Sequence, residues 1–336
     1  MLFNKRKNIV FVSLIILIIL TAAISLCIGN FKITPSDLFQ YVSAKISGSE
    51  YDSSTEAVLL NIRLVRVVAA MVCGAALAVS GAVYQTVFSN NMVSPDLLGV
   101  SSSAACGASV AIVLGLSARM NFVVAFLFSI GAFALTGIVS KILKRRDSLL
   151  LSGIIVAGFA RSGLGLLKYL ADSENGQLES IVYWELGSLA KVSWEDIYII
   201  VPFIIVIIAG LYVMRWHIGA LVFGEQANLL GVRVKVEKMT AVVLSSLLVA
   251  LTTAVCGVIS WISLIIPLAS SELTKSGSIV DNLSISAMLG ALFLLVSDDI
   301  ARAATTSEIP ISIMTGAAGL IVFCVCIISG KAEKAK

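Results

Sequence analysis

Apolar runs long enough to cross a membrane recur along the whole chain and are separated by short polar loops. A bilayer core about 30 Å thick needs roughly 20 apolar residues for each helical crossing. The pattern therefore predicts a single all-α integral membrane domain over residues 1–336, with about ten transmembrane helices in a compact bundle. The predicted spans are 9–29, 64–88, 97–116, 120–141, 148–170, 197–214, 239–257, 258–271, 284–303 and 310–329.

The region from Met239 to Ser271 decides between nine spans and ten. One straight helix over these residues would be roughly 50 Å long, well beyond the thickness of the hydrocarbon core. Gly257 and Pro267 are residues at which such a helix can break. We therefore predict a full span followed by a short, irregular one.

The basic residues predict the orientation in the membrane. With ten spans, the loop KILKRRD (141–147) and the tail KAEKAK (331–336) lie on the same side as the N-terminus. Fifteen of the 24 Lys and Arg residues fall on that side. Because cytoplasmic loops are enriched in Lys and Arg, both termini are predicted to be cytoplasmic. The opposite loops carry the acids Asp172, Glu174, Glu179, Glu185, Glu195 and Asp196.

The composition agrees with a membrane protein. Hydrophobic residues make up 58% of the chain and charged residues 13%, whereas soluble domains are about half apolar and one quarter charged. The net charge of +4 is modest and gives no sign of nucleic-acid binding. The six cysteines lie in apolar segments, at spacings that match neither a disulfide framework nor a metal site.

The stretch FGEQANLLGV (223–232) is polar and lies between the sixth and seventh predicted spans, on the cytoplasmic side. Its residues Glu225 to Leu230 are good helix formers bracketed by Gly224 and Gly231. This pattern predicts a short helix that stops at both glycines. A solvated loop between two spans is the alternative that composition alone leaves open.

Five blocks of the sequence, in order, resemble permease subunits of the ABC importers for ferric siderophores, haem and cobalamin. They are RLVRVVAAMVCGAALAVSGAVYQTVFSNNMVSPDLLGVSSSAACGA (63–108), WELGSLAKVSW (184–194), FGEQANLLGV, GVISWISLIIP (257–267) and LVSDDIARAATTSEIPISIMTGAAG (295–319). The resemblance implies a dimeric permease of the type II ABC importer kind. Such a permease pairs identical or related subunits of ten spans each, with the translocation pathway at their interface.

The resemblance also implies the partners of the chain. In this family the segment that matches Gly224–Gly231 docks on cytosolic ATP-binding subunits. Within a coupling segment over 215–238, it therefore implies an ATPase contact through Gly224, Glu225, Gln226, Ala227, Asn228, Leu230 and Gly231. ATP and Mg²⁺ are expected on the partner, and no cofactor on this chain. The other implied partners are a second permease subunit, an extracellular or periplasmic binding protein and the lipid of the bacterial plasma membrane.

Three arginines fall on the predicted outer face, where the positive-inside bias disfavours them. Arg63 and Arg66 begin the second span, and Arg302 ends the ninth. One reading is interfacial snorkelling, with the stems in lipid and the charged heads in water. The resemblance implies a second, in which a positive rim receives acidic residues of the binding protein. The planar guanidinium fork suits a carboxylate.

Two cations lie in the fifth span, which lines the pathway in the resembled family. Arg161 is mid-span, where a charge costs about 2.5–3.5 kcal/mol on insertion scales. Lys168 follows nearly two turns later, close to the same face. One hypothesis is that both favour an anionic cargo, such as a ferric catecholate or carboxylate siderophore. The alternative is a structural ion pair of Arg161 with Asp298.

The predicted function is thus ATP-driven import of an iron chelate. Haem and cobalamin stay open as cargo, because in this class the choice rests largely with the binding protein. The sequence departs from the family pattern at Leu268 and Ser271, where His and Arg are usual.

The sequence offers little support for other functional classes. An enzyme is disfavoured because the sequence has one histidine, His217, and neither an H-E-x-x-H motif nor a Walker A motif. The serious rival is an ion-coupled secondary transporter. Its intramembrane carboxylates would have to be Asp298 and Asp299, and no clear internal repeat supports it.

Overall fold

The structure is a computed structural model that describes residues 2–29, 31–48, 51–143, 148–275, 279–305 and 308–334. All regular secondary structure in these ranges is helical, which confirms the predicted all-α class. Residues 144–147 of the predicted basic loop and 335–336 of the tail lie outside the described residues.

The helices follow one another in a simple order along the chain. They are α1 (Leu2–Ser25), α2 (Pro35–Ser47), α3 (Ser53–Val58), a π-helical turn (Leu59–Leu64), α4 (Val65–Val87), a 3-10 turn (Pro95–Leu98), α5 (Val100–Val113), α6 (Ala118–Leu143), α7 (Ser148–Leu170), α8 (Gln177–Glu185), α9 (Trp194–Val213), α10 (Arg215–Ala220), a 3-10 segment (Leu221–Leu230), α11 (Val234–Cys256), α12 (Ile262–Thr274), α13 (Ile279–Ala304) and α14 (Ile311–Lys334).

Seven stretches within the described residues are long and apolar enough to cross a membrane. They are Lys7–Ser25, Ser53–Val87, Ala118–Leu143, Ser148–Leu170, Trp194–Val213, Val234–Cys256 and Asp281–Ala304. Three shorter apolar helices, Val100–Val113, Ile262–Thr274 and Ile311–Cys326, lie at the third, eighth and tenth predicted spans. Every predicted span thus overlaps an apolar helix, and the count of ten crossings stays a prediction.

Helix α4 lies at the centre of the bundle and packs against α13, α11 and α12. Glycines bring its backbone very close to its neighbours. A Cβ on Gly74 would lie 2.2 Å from the carbonyl oxygen of Gly290 on α13, and one on Gly81 would lie 1.7 Å from that of Ser263 on α12. Small residues permit such contacts between membrane helices, and the predicted tight packing is confirmed at these crossings.

The predicted break after the seventh span lies at Gly257. This residue ends α11 with φ 71° and ψ −168°, and α12 begins at Ile262. The connection is held by hydrogen bonds, because the Ser188 amide donates to the Cys256 carbonyl at 2.8 Å and the Ser312 hydroxyl to that of Val258 at 2.6 Å. Buried backbone groups need such partners.

The second proposed break, at Pro267, was wrong. Pro267 lies inside α12 and is buried. A proline leaves the carbonyl four residues earlier without its helical donor, which here is the carbonyl of Ser263. That carbonyl packs against Gly81 of α4, so the helix continues past the proline with this group turned toward a neighbouring backbone.

The third predicted span is shorter than expected because its first part is not α-helical. Pro95–Leu98 form a 3-10 turn, Gly99 follows with φ 79°, and α5 begins at Val100. This turn packs closely against α7, because a Cβ added to Gly153 of α7 would lie 2.3 Å from the Leu97 carbonyl oxygen. The start of α5 is therefore embedded in the bundle.

The bundle has two ends, which we call outer and inner after the predicted orientation. The outer end carries the connection from α1 to α4, with helices α2 and α3, the α5–α6 turn and α8. None of these three short helices was predicted. The inner end carries the segment between α9 and α11.

Candidate functional site

The segment Leu221–Leu230 between α10 and α11 has its shape set by two glycines. Gly224, with φ 59° and ψ −134°, interrupts the helical path, and Gly231, with φ 79°, caps its end. Residues with a Cβ adopt positive φ only at a cost, which explains glycine at both positions. The predicted short helix between these glycines is confirmed, and its geometry is 3-10.

This segment is anchored by a few side chains and exposes the others. Leu221, Ala227 and Val232 are buried, and the Val232 amide donates to the Ala227 carbonyl at 3.2 Å. The Asn228 side-chain amide donates to the backbone carbonyl of Glu225 at 2.9 Å, which closes the turn internally. The segment is therefore a preformed protrusion at the inner end.

The exposed surface of this protrusion includes several large apolar side chains. Leu229 is 89% exposed, and Val222, Phe223 and Leu230 are exposed as well. A cluster of large apolar side chains at the surface marks an interaction site more often than a solvated loop. Phe223 and Leu229 were absent from the predicted contact set. Their signal in the sequence was the presence of large apolar side chains in an otherwise polar stretch.

The three outer arginines do not form a solvent-facing rim. Arg63 is 2% exposed, and Arg66 and Arg302 are each 4% exposed. Arg66 binds Asp298 at 2.7 Å and Glu308 at 2.9 Å. Their burial contradicts the expected exposed position, and the snorkelling alternative is wrong for the same reason.

The other two arginines complete a buried cluster at the outer end. Arg302 pairs with Asp298 at 3.1 Å and with Asp299, and it also donates to the Ser25 hydroxyl on α1 at 2.6 Å. Arg63 donates to the backbone carbonyls of Leu26 and Phe31.

This cluster balances three guanidinium groups with the three carboxylates Asp298, Asp299 and Glu308. Buried charges need such partners, because desolvation of an unpaired ion is costly. The cluster joins α1, α4, α13 and the connection to α14. A docking role for Arg63, Arg66 and Arg302 stays a prediction.

Part of this buried cluster was visible in the sequence, since Asp298 and Asp299 lie four and three residues before Arg302.

The two cations of α7 have different surroundings. Arg161 is exposed on the surface of the single chain, on a face that also exposes Ile154 and Tyr169. Lys168 forms an ion pair with Glu185 of α8, so the predicted basic stripe is reduced to one residue. The alternative pair of Arg161 with Asp298 is wrong, because Asp298 is bound by Arg66 and Arg302. Asp96 of the 3-10 turn interacts electrostatically with Arg161.

A cleft of about 930 Å³ opens at the outer end between the start of α6, α8 and the start of α9, with the end of α11 as its floor. Its lining includes Tyr183, Lys191 and the exposed ion pair of Arg119 with Glu195. The side-chain oxygen of Asn121, also in the lining, is buried and has no hydrogen-bond partner among the described residues. The cleft can therefore receive a polar group at the outer end.

Leu268 and Ser271, at which the sequence departs from the resembled family, make a local contact. The Ser271 hydroxyl donates to the carbonyl of Leu268 within α12, at 2.8 Å. The pair therefore acts within its own helix in this structure.

Comparison with known proteins agrees with this architecture. Residues 16–329 match the FecCD transport family. The chain is 35% identical over 314 residues to the molybdate import system permease protein of Haemophilus influenzae, which covers 92% of both chains. It is 34% identical over 274 residues to a protein of Helicobacter pylori described as an iron chelatin transport system permease, covering 81% of this chain and 82% of the relative.

A solved structure extends the likeness to three dimensions. It shows an inward-facing conformation of a transporter described as being of the metal-chelate ABC type, with 32% identity and a TM-score of 0.86. The match covers 96% of this chain and 99% of that one. The chain therefore belongs to the FecCD transport family, and it is a multi-pass permease subunit of an ABC importer.

Proposed function

We propose that this permease carries an anionic iron chelate, such as a ferric catecholate or carboxylate siderophore, into the cell. The observation that carries the proposal is the exposed Arg161 on α7, in the middle of a predicted span. A relative described as an iron chelatin permease supports the choice of metal. The family membership itself does not depend on the cargo.

Arg161 cannot be left in lipid without a penalty. A charged side chain at the bilayer centre costs about 2.5–3.5 kcal/mol even on insertion scales, and such residues face protein or water. In a dimeric permease, the exposed face of α7 can lie toward a second subunit and a water-filled pathway. A cation there attracts anions and disfavours cationic cargo.

The other charged residues near Arg161 have contacts of their own. Lys168 is neutralised by Glu185. Asp96 accepts a hydrogen bond from the Ser101 hydroxyl and interacts electrostatically with Arg161. Among the described residues, Lys168 is thus in an ion pair, whereas the exposed Arg161 is in none and feels Asp96 only through its electrostatic field.

Uptake measurements with a set of Arg161 variants test the proposal. Cells that carry the importer are given radioactive iron as an anionic catecholate chelate or as a cationic hydroxamate chelate. We expect Arg161→Gln to reduce catecholate uptake by ~tenfold, the factor for about 1.4 kcal/mol, and Arg161→Lys to retain most of it. Ser162→Ala, a change at the next residue of α7, which is also exposed, serves as the control. Full catecholate uptake by Arg161→Gln would overturn the proposal.

A second cargo has a specific observation in its favour. The relative with 35% identity is described as a molybdate permease, and molybdate is also an anion. The same cells are therefore tested with radioactive molybdate. Uptake of molybdate that depends on Arg161, without uptake of iron chelate, would replace iron with an oxoanion and leave the charge argument intact.

We also propose that Gly224–Gly231 is the contact with the ATP-binding partner. Its exposed apolar side chains and its internally bonded turn suit a preformed surface that seats in a groove. Because it is continuous with α10 and α11, force on this protrusion would be transmitted to both α9 and α11. With this segment facing the cytosol, both termini lie on the cytoplasmic side.

A further inference from the structure

Helix α2 is a complete helix that buries none of its side chains. Its start is fixed by a capping box, in which Thr34 and Asp37 exchange hydrogen bonds, and its end by Gly48 in the left-handed conformation with φ 70°. Isolated helices shorter than about 12–15 residues are marginal in water. A helix of 13 residues with no buried side chain therefore needs a further contact.

The described contacts of α2 with the rest of the chain lie on one side. The rings of Tyr41 and Tyr51 meet edge to face, with centroids 5.5 Å apart. The Tyr51 hydroxyl donates to the Asp37 carbonyl at 3.1 Å, and Lys45 pairs with Glu56 of α3 at 2.6 Å. These contacts hold α2 against α3 and the residues before it, through polar groups and one aromatic pair.

The opposite side of α2 is an apolar stripe formed by Phe39, Val42 and Ile46. These side chains are 76%, 52% and 84% exposed. At 100° per residue they fall within an arc of about 60°, whose centre lies roughly 130° from Tyr41. The stripe therefore points away from the contacts that hold the helix.

The connection that leads from α1 to this helix is held at the outer end of α1. Arg63 binds the carbonyls of Leu26 and Phe31, which ties the connection between α1 and α2 to the outer end of α1. Phe31 on this connection is exposed. Helix α1 is itself apolar and largely uncovered, with Ile16, Ile19, Leu20 and Ile24 all exposed. An uncovered apolar span of this kind is surrounded by lipid.

We propose that α2 lies in the plane of the membrane at its outer surface, with its apolar stripe inserted among the phospholipids of the outer leaflet. In-plane helices bury an apolar face at the boundary between headgroups and acyl chains. The exposed Lys32 lies just before the start of the helix, where a long cationic side chain reaches headgroup phosphates. The tyrosine pair is of the kind enriched at membrane interfaces.

The alternative occupant of this apolar face is an extracellular binding protein. The stripe contains no charged residue, and the connection before it is held at the end of α1, an apolar span that a soluble protein cannot cover without entering the bilayer. Both facts favour lipid. This anchoring of the permease does not depend on its cargo.

A site-specific photocrosslinker tests the proposal in the full-length permease. A benzophenone amino acid is introduced at Phe39, Val42 or Ile46, and as a matched control at Gln40, which is exposed and lies outside the stripe. Because these side chains are not buried, the substitutions leave the packing of the bundle unchanged. Each variant is illuminated in nanodiscs of phosphatidylethanolamine and phosphatidylglycerol, and adducts are identified by mass spectrometry.

We expect adducts of one phospholipid mass at Phe39, Val42 and Ile46, at several times the yield at Gln40. Equal yields at the stripe and at Gln40 would overturn the proposal. The same variants are illuminated in cells that contain the complete importer. Protein adducts at the stripe, in place of lipid adducts, would assign this face to a protein partner and would also overturn it.

Discussion

Arg66 of α4 and Asp298 of α13 form an ion pair at 2.7 Å, with side chains that are 5% and 0% exposed. The two residues are 232 positions apart in the sequence. Asp298 is shared with Arg302, and Arg66 with Glu308. The central helix of the bundle is thus tied at its outer end to α13 and to the connection that follows it.

Removing the shared carboxylate should destabilise the fold. In the variant Asp298→Asn, two buried guanidinium groups lose their common partner, and breaking a buried pair costs about 3–5 kcal/mol. The matched control is Glu195→Gln, which removes the exposed pair with Arg119, where the cost is about 0–1 kcal/mol. Thermal unfolding of the purified variants in detergent measures both. A similar stability loss in the two variants would contradict the structural role of the cluster.

A charge on the inner protrusion should separate the permease from its ATP-binding partner. Leu229 is exposed and apolar, so Leu229→Asp places a carboxylate in the centre of the proposed contact. We expect co-purification of the ATPase subunit to fall by ~tenfold or more, since 1.4 kcal/mol corresponds to a factor of ten. Membrane insertion should be unchanged. Met92→Asp, in the connection between α4 and α5, makes the same change from an apolar residue at an exposed position outside 215–238 and should have a smaller effect.

The two glycines of the protrusion should differ in their tolerance of asparagine. Gly231 has φ 79° and ψ 9°, a left-handed conformation that asparagine also adopts. Gly224 has φ 59° and ψ −134°, which lies outside that region. We expect Gly231→Asn to support transport and Gly224→Asn to impair it, with about 1–3 kcal/mol of local strain. Equal transport by the two variants would show that the conformation of Gly224 is not required.

The start of α2 should loosen at acidic pH. The Thr34 amide and hydroxyl donate to Asp37, and these bonds lower the pKa of its carboxyl group below the usual value. A carboxyl group with a lowered pKa in the folded state stabilises that state above its unfolded pKa, and this stabilisation is lost as the pH falls through the folded pKa. The protection factors for amide exchange at residues 36–38, which correct for the intrinsic effect of pH, should therefore fall in that acidic range. Asp37→Asn should show low protection at neutral pH and little further change in protection on acidification.

Local signals in the sequence predicted part of this structure well. Gly224, Gly231 and Gly257 mark a backbone with positive φ, and each lies where a helix was predicted to stop. Pro267 was misread because its effect depends on a neighbouring helix, since the carbonyl it frees packs against Gly81. The outer arginines were misplaced for a similar reason. Arg66 and its carboxylate partners are far apart in sequence, and one sequence does not show which charges meet.

The short helices at the outer end were also missed. Helix α2 has an apolar stripe of only three residues, which is too short to stand out beside spans of twenty. Its capping box, formed by Thr34 and Asp37, was the signal that could have located it.

The glycine contacts of α4 limit how the transporter can move. Because the backbones of α4, α12 and α13 touch at Gly81 and at Gly74, these helices cannot rotate or slide past one another without steric collision. We therefore expect α4, α12 and α13 to move together as one rigid group. Conformational change is then expected at the connections outside these crossings.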